Sequence, residues 1–331
     1  MTVGRFSRHA TENAIVKIDR FLAFGTHMTY CVAMRLDEGI VFLSDSRTNA
    51  GVDHVSTFRK MTVFERAGDR TMVIMTAGNL AISQAVRQWL QERTTEDGET
   101  VWTAKTMFDA VRVVGDAVRA VHERDAEHLK RFGVDFNCAL IFGGQIKGEP
   151  PRLFQVYAAG NFIEATPENP YFQIGEAKYG KPIIDRVIRP DTPLDEGAKC
   201  ALISMDSTLR SNISVGLPLD LLVYESDALR VTRFVQIDND NHYFQMIHNT
   251  WGKRLQQVFG EIPDPTWGET GSRFAHPDYR LGQKHADGHS DREPQHQPPR
   301  APVPPALASD TVAASERIQT VADGGTPGQA Q

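Results

Sequence analysis

Cysteine is scarce in this chain: there are three in 331 residues, Cys31, Cys138 and Cys200. Their spacing suits neither a disulfide framework nor a zinc site, and each lies in an apolar run. All three are expected as reduced core thiols of a cytoplasmic protein. No apolar run approaches the ~18 residues that a membrane-spanning helix needs. The first residues also lack the uninterrupted apolar stretch of a secretory signal. Positive charge is not in excess: 36 Lys and Arg against 42 Asp and Glu leave a formal net charge of −6. That balance supplies no basic surface for nucleic acid or an anionic membrane, so neither is expected as a partner.

Several motifs are missing or incomplete. There is no G-x-S-x-G elbow and no repeat of fixed period. His122 and His128 lack metal-protease spacing. Gly175 to Lys181 has the glycine and lysine spacing of a phosphate loop, but Pro182 stands where the Mg²⁺-binding hydroxyl belongs. Asp238-Asn239-Asp240-Asn241 opens like a calcium loop without its sixth-position glycine or acidic twelfth residue, and reads better as a helix N-cap. No cofactor is expected.

What is present can build a sizeable core: 40 % of residues are hydrophobic and 24 % charged. The chain divides into three parts. Residues 1–28 carry scattered apolar residues without a lasting period. Residues 29–262 are dense in periodic apolar pattern. Residues 263–331 are rich in Pro, Gly, His, Gln and charge, a composition expected to stay disordered; four histidines there could hold a metal only adventitiously.

Within 29–262 the pattern alternates between strand and helix periods. TYCVAMRL and IVFLSDSR flank a short turn at Asp37-Glu38-Gly39, and a second hairpin turns at Ala67-Gly68-Asp69. Leu80 to Leu90 and Met107 to Val121 recur at helical spacing, with Thr103 as an N-cap for the second helix. A strand pair follows around Gly148, then helices over 181–188 and 194–205, another strand pair, and a helix over 240–259. The order ββββ-αα-ββ-αα-ββ-α predicts an α+β fold in which helices flank two antiparallel sheets.

One set of residues could carry chemistry. Thr29 follows Met28 and opens the first strand. Asp45 ends the second strand, and Lys60 begins the third. Gly78 sits where a strand turns into a helix. Asp206 and Ser211 are placed just after a helix. An aminopeptidase that removes Met28 leaves Thr29 as the first residue. Its free α-amino group, with a pKa of about 7.7–8.0, can then act as base for its own hydroxyl. A buried lysine held by an aspartate eases that deprotonation.

These residues resemble the opening of a proteasome-type β subunit: the strand threonine, D-S-R-x-x-x-G at Asp45 to Gly51, F-R-K ending at Lys60, Ala77-Gly78, and Asp206 with Ser211-Asn212. T-Y-C-V-A-M and W-x-x-L (Trp251, Leu255) are similar to the bacterial ancestral β-subunit group called Anbu. The resemblance covers nearly all of 29–225. It implies the four-layer αββα sandwich of N-terminal nucleophile (Ntn) hydrolases. It implies Thr29 as nucleophile, Asp45 and Lys60 as the tuning ion pair, Gly78 N–H as oxyanion donor, and Asp206 and Ser211 as supports of the amine. A peptide or unfolded segment would lie extended between strand edges near Asn49 and Gly78.

The function expected is a self-assembling threonine peptidase, in a homo-oligomeric ring or spiral, with an ATP-driven partner left open. Two rivals are an Ntn amidase acting on a small amide and a catalytically inactive assembly subunit. The sequence departs from the resemblance at Glu176-Ala177, where a Ser-Gly pair is usual, and in the spacing before Lys60 and between Asp206 and Ser211. Residues 1–28 are expected to be absent from the mature protein, either because Met28 is the start or because they are a propeptide; the methionine before Thr29 favours the first.

Overall fold

A computed structural model describes residues 29–49 and 55–265. The extension at 1–28 and nearly all of the tail predicted from 263 onward lie outside the described residues. Among the described residues the chain forms twelve strands and five α-helices. β1 (Tyr30–Leu36) and β2 (Gly39–Asp45) form the expected hairpin, followed by a two-stranded ribbon of β3 (Arg47–Asn49) and β4 (Val55–Thr57). Next come β5 (Met61–Arg66), β6 (Arg70–Gly78), α1 (Leu80–Glu92) and α2 (Met107–Arg131). Then follow β7 (Cys138–Ile146), β8 (Arg152–Val156), β9 (Phe162–Glu164), β10 (Tyr171–Gly175), α3 (Lys181–Val187) and α4 (Leu194–Ser211). The last elements are β11 (Leu219–Glu225), β12 (Arg233–Ile237) and α5 (His242–Glu261).

Two five-stranded antiparallel sheets result, ordered β10-β1-β2-β11-β12 and β5-β6-β7-β8-β9. Alternation along β1 shows how they stack. Cys31 and Ala33, with Phe42 of β2, point to the other sheet, where they join Val73, Met75, Ile141 and Leu153. Tyr30, Val32 and Met34 point the opposite way, onto Ile184, Ala201 and Met205 of α3 and α4. The other sheet sends Met72, Ile74, Leu140 and Phe142 against α1 and α2. A strand buried on both faces needs apolar residues at nearly every position, and β1 and β2 have them. This is the four-layer αββα sandwich expected from the sequence.

The order read from the sequence holds eight strands and misses β3, β4, β9 and β10. Three of these have only three residues, too few to establish a period of two. β10 is short and follows the turn residues of PENP; its pairing with β1 identifies it. The second helix is capped by Thr106, which accepts from the Asp109 N–H, and not by Thr103. Thr103 is instead tied to Thr100 one turn earlier. α4 runs six residues past its expected end, so Asp206 and Ser211 lie inside a helix and not after one. At Asp238–Asn241 the helix-cap reading holds: the Asn241 side chain accepts from the Phe244 N–H. No described helix is long and apolar enough to cross a membrane.

Candidate active site

The site forms at one end of the sandwich, where β1 begins and β2 ends. Antiparallel pairing brings those two ends together, with Cys31 opposite Ser44. Thr29 sits there, buried, one residue before β1. Its backbone is clamped from both sides. The Glu176 N–H donates to the Thr29 carbonyl at 2.7 Å, and the next amide, Tyr30 N–H, donates to Asp45 Oδ1 at 3.0 Å.

Asp45 is fully buried. Its second oxygen lies 2.7 Å from Lys60 Nζ, and the Gly216 amide is near enough to favour the charged carboxylate. Burial pushes the Asp45 carboxyl up, while Lys60 and the nearby amides of Tyr30 and Gly216 pull the other way. Lys60 is buried too and donates to the Arg47 carbonyl at 2.6 Å. Loss of one partner from such a pair strands a charge away from water, which makes the pair sensitive to either substitution.

Gly78 closes β6 and leads into α1, whose N-cap Asn79 accepts from the Ala81 N–H. Its φ of +108° belongs to glycine, and a Cβ there would stand 2.4 Å from the Asn137 carbonyl oxygen. The residue type follows from this conformation, which turns the chain from strand into helix. Asn49 ends β3 with its backbone opposite Val55. Beside Lys60, Thr76, Leu80, Ser83 and Arg87 line a narrow cleft between β6 and α1.

The remaining expected residues divide. Ser211 is the last residue of α4 and is exposed. Asp206 is buried one and a half turns earlier, and its Oδ1 lies 2.6 Å from His248 Nδ1 of α5. Its described partner is therefore on the helix layer, and no described bond joins it to Thr29, Asp45 or Lys60. His248 was not singled out from sequence: a histidine on an amphipathic helix carries no signal until the partner helix is placed. Glu176, noted only as a departure from Ser-Gly, is a contact of the Thr29 backbone. It is buried, and its carboxylate accepts from Asn212 Nδ2 at 2.9 Å and lies 3.4 Å from Lys178 Nζ.

Chemically, the site offers a strand-opening hydroxyl, a buried lysine-carboxylate pair behind it, and a strand-to-helix turn bearing backbone N–H groups. Among the described residues no cluster of His, Cys, Asp and Glu is arranged to hold a metal ion.

A family model described as proteasome subunit matches residues 26–221. Solved structures described as Anbu are also similar. The ancestral β-subunit from Yersinia bercovieri is 52 % identical with a TM-score of 0.68, covering 72 % of this chain and all of its own. Anbu from Hyphomicrobium sp. strain MC1 is 50 % identical with a TM-score of 0.66, covering 71 % and 99 %. A structure described as the helical assembly of the Anbu complex from Pseudomonas aeruginosa is 48 % identical with a TM-score of 0.69, covering 72 % and 98 %. A comparison with curated proteins gives no match.

Proposed function

The chain belongs to the proteasome subunit family, and from that premise we propose that it is a threonine-type peptide hydrolase working in a self-assembled homo-oligomer. The observation that carries the reading is the arrangement around Asp45: one carboxylate holds both the amide that follows Thr29 and the Lys60 ammonium. The proposed nucleophile and the cation are thereby referenced to a single buried group.

In this reading Thr29 is N-terminal. Its Oγ attacks the scissile carbonyl carbon while the hydroxyl proton passes to the α-amino nitrogen. The Lys60 ammonium favours the developing alkoxide, and the Gly78 N–H receives the oxyanion. The C–N bond then breaks as the amine leaves with that proton. Water hydrolyses the acyl ester on Oγ and restores the hydroxyl. The substrate lies extended between Asn49 and Gly78, bound by main-chain hydrogen bonds that select weakly among sequences.

Self-assembly is supported by the helical assembly described for the Pseudomonas aeruginosa relative and by apolar residues left on α5. Leu255, Val258 and Phe259 are 51 %, 56 % and 78 % exposed, more apolar helix surface than a monomer keeps without use.

Treatment with a peptide epoxyketone tests the chemistry. The expected result is one adduct, located on Thr29 by mass spectrometry and absent from Thr29→Ala. An adduct elsewhere, or none on protein that begins at Thr29, rejects the reading. A panel of peptides against small amides then separates a peptidase from an amidase.

A further inference from the structure

A second cavity, of about 690 Å³, lies between the end of α4, the segment 212–217 and the first turns of α5. Its size is that of a pocket for a small organic ligand. Leu209, Ile213, Val215, Leu217 and Phe244 supply apolar wall. Arg47, Arg210 and His248 supply the polar, basic part, with Asp238 the one carboxylate among the lining residues. Among the described residues neither Arg47 nor Arg210 has an ion-pair partner, and Arg47 Nε is buried without any hydrogen-bond partner. Asp206 takes Nδ1 of His248, which leaves Nε2 as the ring's other polar atom. We propose that this cavity binds a small monocarboxylate with an apolar body, and that its occupancy is felt at the Asp45–Lys60 pair through Arg47.

The ligand class follows from the lining. Two guanidiniums against one carboxylate leave room for a single negative charge. A planar guanidinium pairs with a carboxylate through two parallel N–H bonds, and the five apolar residues favour a hydrocarbon body over a sugar or a second charge.

The coupling follows from what Arg47 touches. Its side chain lines the cavity and donates to the Ile213 carbonyl at 3.1 Å. Its guanidinium packs so closely on Gly216 that a Cβ there would stand 2.1 Å from Arg47 Cζ. The Gly216 amide lies near enough to Asp45 to favour its charged form, and the Arg47 carbonyl accepts from Lys60 Nζ. One residue therefore meets the cavity with its side chain and the lysine with its backbone. An anion that draws the guanidinium toward the cavity changes its hold on 213–216 and so the surroundings of Asp45. The consequence for turnover rests on the proposed role of Lys60; the binding and the coupling do not.

Titration calorimetry with phenylacetate, 4-phenylbutyrate and octanoate, and with the uncharged 4-phenylbutanol, tests the site on the full protein. Saturable binding of at least one acid is expected. It should be weaker by about tenfold or more for the alcohol, and for the acid in Arg210→Ala, since each removes a charge-assisted pair. Arg210 is exposed, so its loss leaves the fold in place. No binding of any acid, equal binding of acid and alcohol, or unchanged affinity in Arg210→Ala overturns the site. Hydrogen exchange read by mass spectrometry tests the coupling without any turnover. Bound acid should change the exchange rate in peptides spanning Tyr30, whose amide donates to Asp45, and Gly216, against which the Arg47 guanidinium packs. Unchanged exchange there with acid bound overturns the coupling.

Discussion

Gly175 and Thr29 meet where no side chain fits: a Cβ on Gly175 would stand 1.9 Å from the Thr29 carbonyl oxygen. Gly175 also has a φ of +81°, and it is directly followed by the residue whose N–H holds that same carbonyl. The glycine lets β10 run flush against the start of β1. Gly175→Ala is expected to cost about 1–2 kcal/mol from the left-handed backbone alone, with the clash added. Because the clash falls on the Thr29 backbone, activity should fall by a larger factor than the stability loss accounts for. Urea denaturation beside a peptide assay measures both; wild-type activity in a folded Gly175→Ala protein rejects this role.

Thr29→Ala should abolish turnover and leave the fold intact, since it removes one hydroxyl and one methyl. Lys60→Ala should lower turnover by about 10²–10⁴-fold, the range for loss of a group that moves or steers a proton. It should also destabilise the protein, because it leaves Asp45 buried without its counterion. Half of the wild-type rate in either variant is incompatible with the mechanism.

The mechanism needs a free amine on Thr29, because a peptide nitrogen has no basic lone pair. Protein started at Met28 should be trimmed to Thr29 and be active. The 331-residue form, if it keeps its first residue, should be inactive. N-terminal sequencing of both forms beside a peptide assay decides the matter, and activity in an uncleaved long form would remove Thr29 as the base.

Asp206→Ala separates two roles for one carboxylate. With His248 as its partner, its removal should loosen α4 from α5 and cost about 1–3 kcal/mol, while turnover stays within a few-fold of wild type. A collapse of turnover as deep as that of Lys60→Ala would instead return Asp206 to the support of the Thr29 amine.

The three cysteines predict an alkaline weakness. Burial pushes the Cys138 and Cys200 thiols up to about 12, and Cys31 higher still. In the unfolded chain they ionise near about 8.5. Above that value the unfolded state has released protons that the folded state keeps. Stability should therefore fall as pH rises from about 8.5 towards 12, by up to about 1.4 kcal/mol per pH unit for each thiol. Melting temperature against pH, compared with Cys138→Ala, measures the slope. In the native protein a thiol reagent should react only as fast as the chain opens.

The fold was legible in the sequence because burial on both faces writes itself into local composition. β1 and β2 have an apolar residue at nearly every position, and α1 and α2 repeat theirs at helical spacing, so layers and order could be read without coordinates. The positions of Thr29, Asp45, Lys60 and Gly78 at strand ends were legible for a related reason, while the roles proposed for them rest on the resemblance to proteasome-type β subunits.

Only the tertiary structure could decide which polar groups meet. Asp206 and Ser211 are five residues apart, yet the helix that carries both turns Asp206 inward to His248 and leaves Ser211 exposed at its end. Glu176 reads as a deviation in sequence and becomes a clamp on Thr29 once β10 pairs with β1. Arg47 reads as one residue of D-S-R, while in space its carbonyl holds Lys60 and its guanidinium reaches a cavity made by residues 160 or more positions later. The physical reason is range. Propensity and periodicity act over one or two turns of chain and are written locally, whereas a hydrogen bond is fixed to a few tenths of an ångström by the packing of elements far apart in sequence.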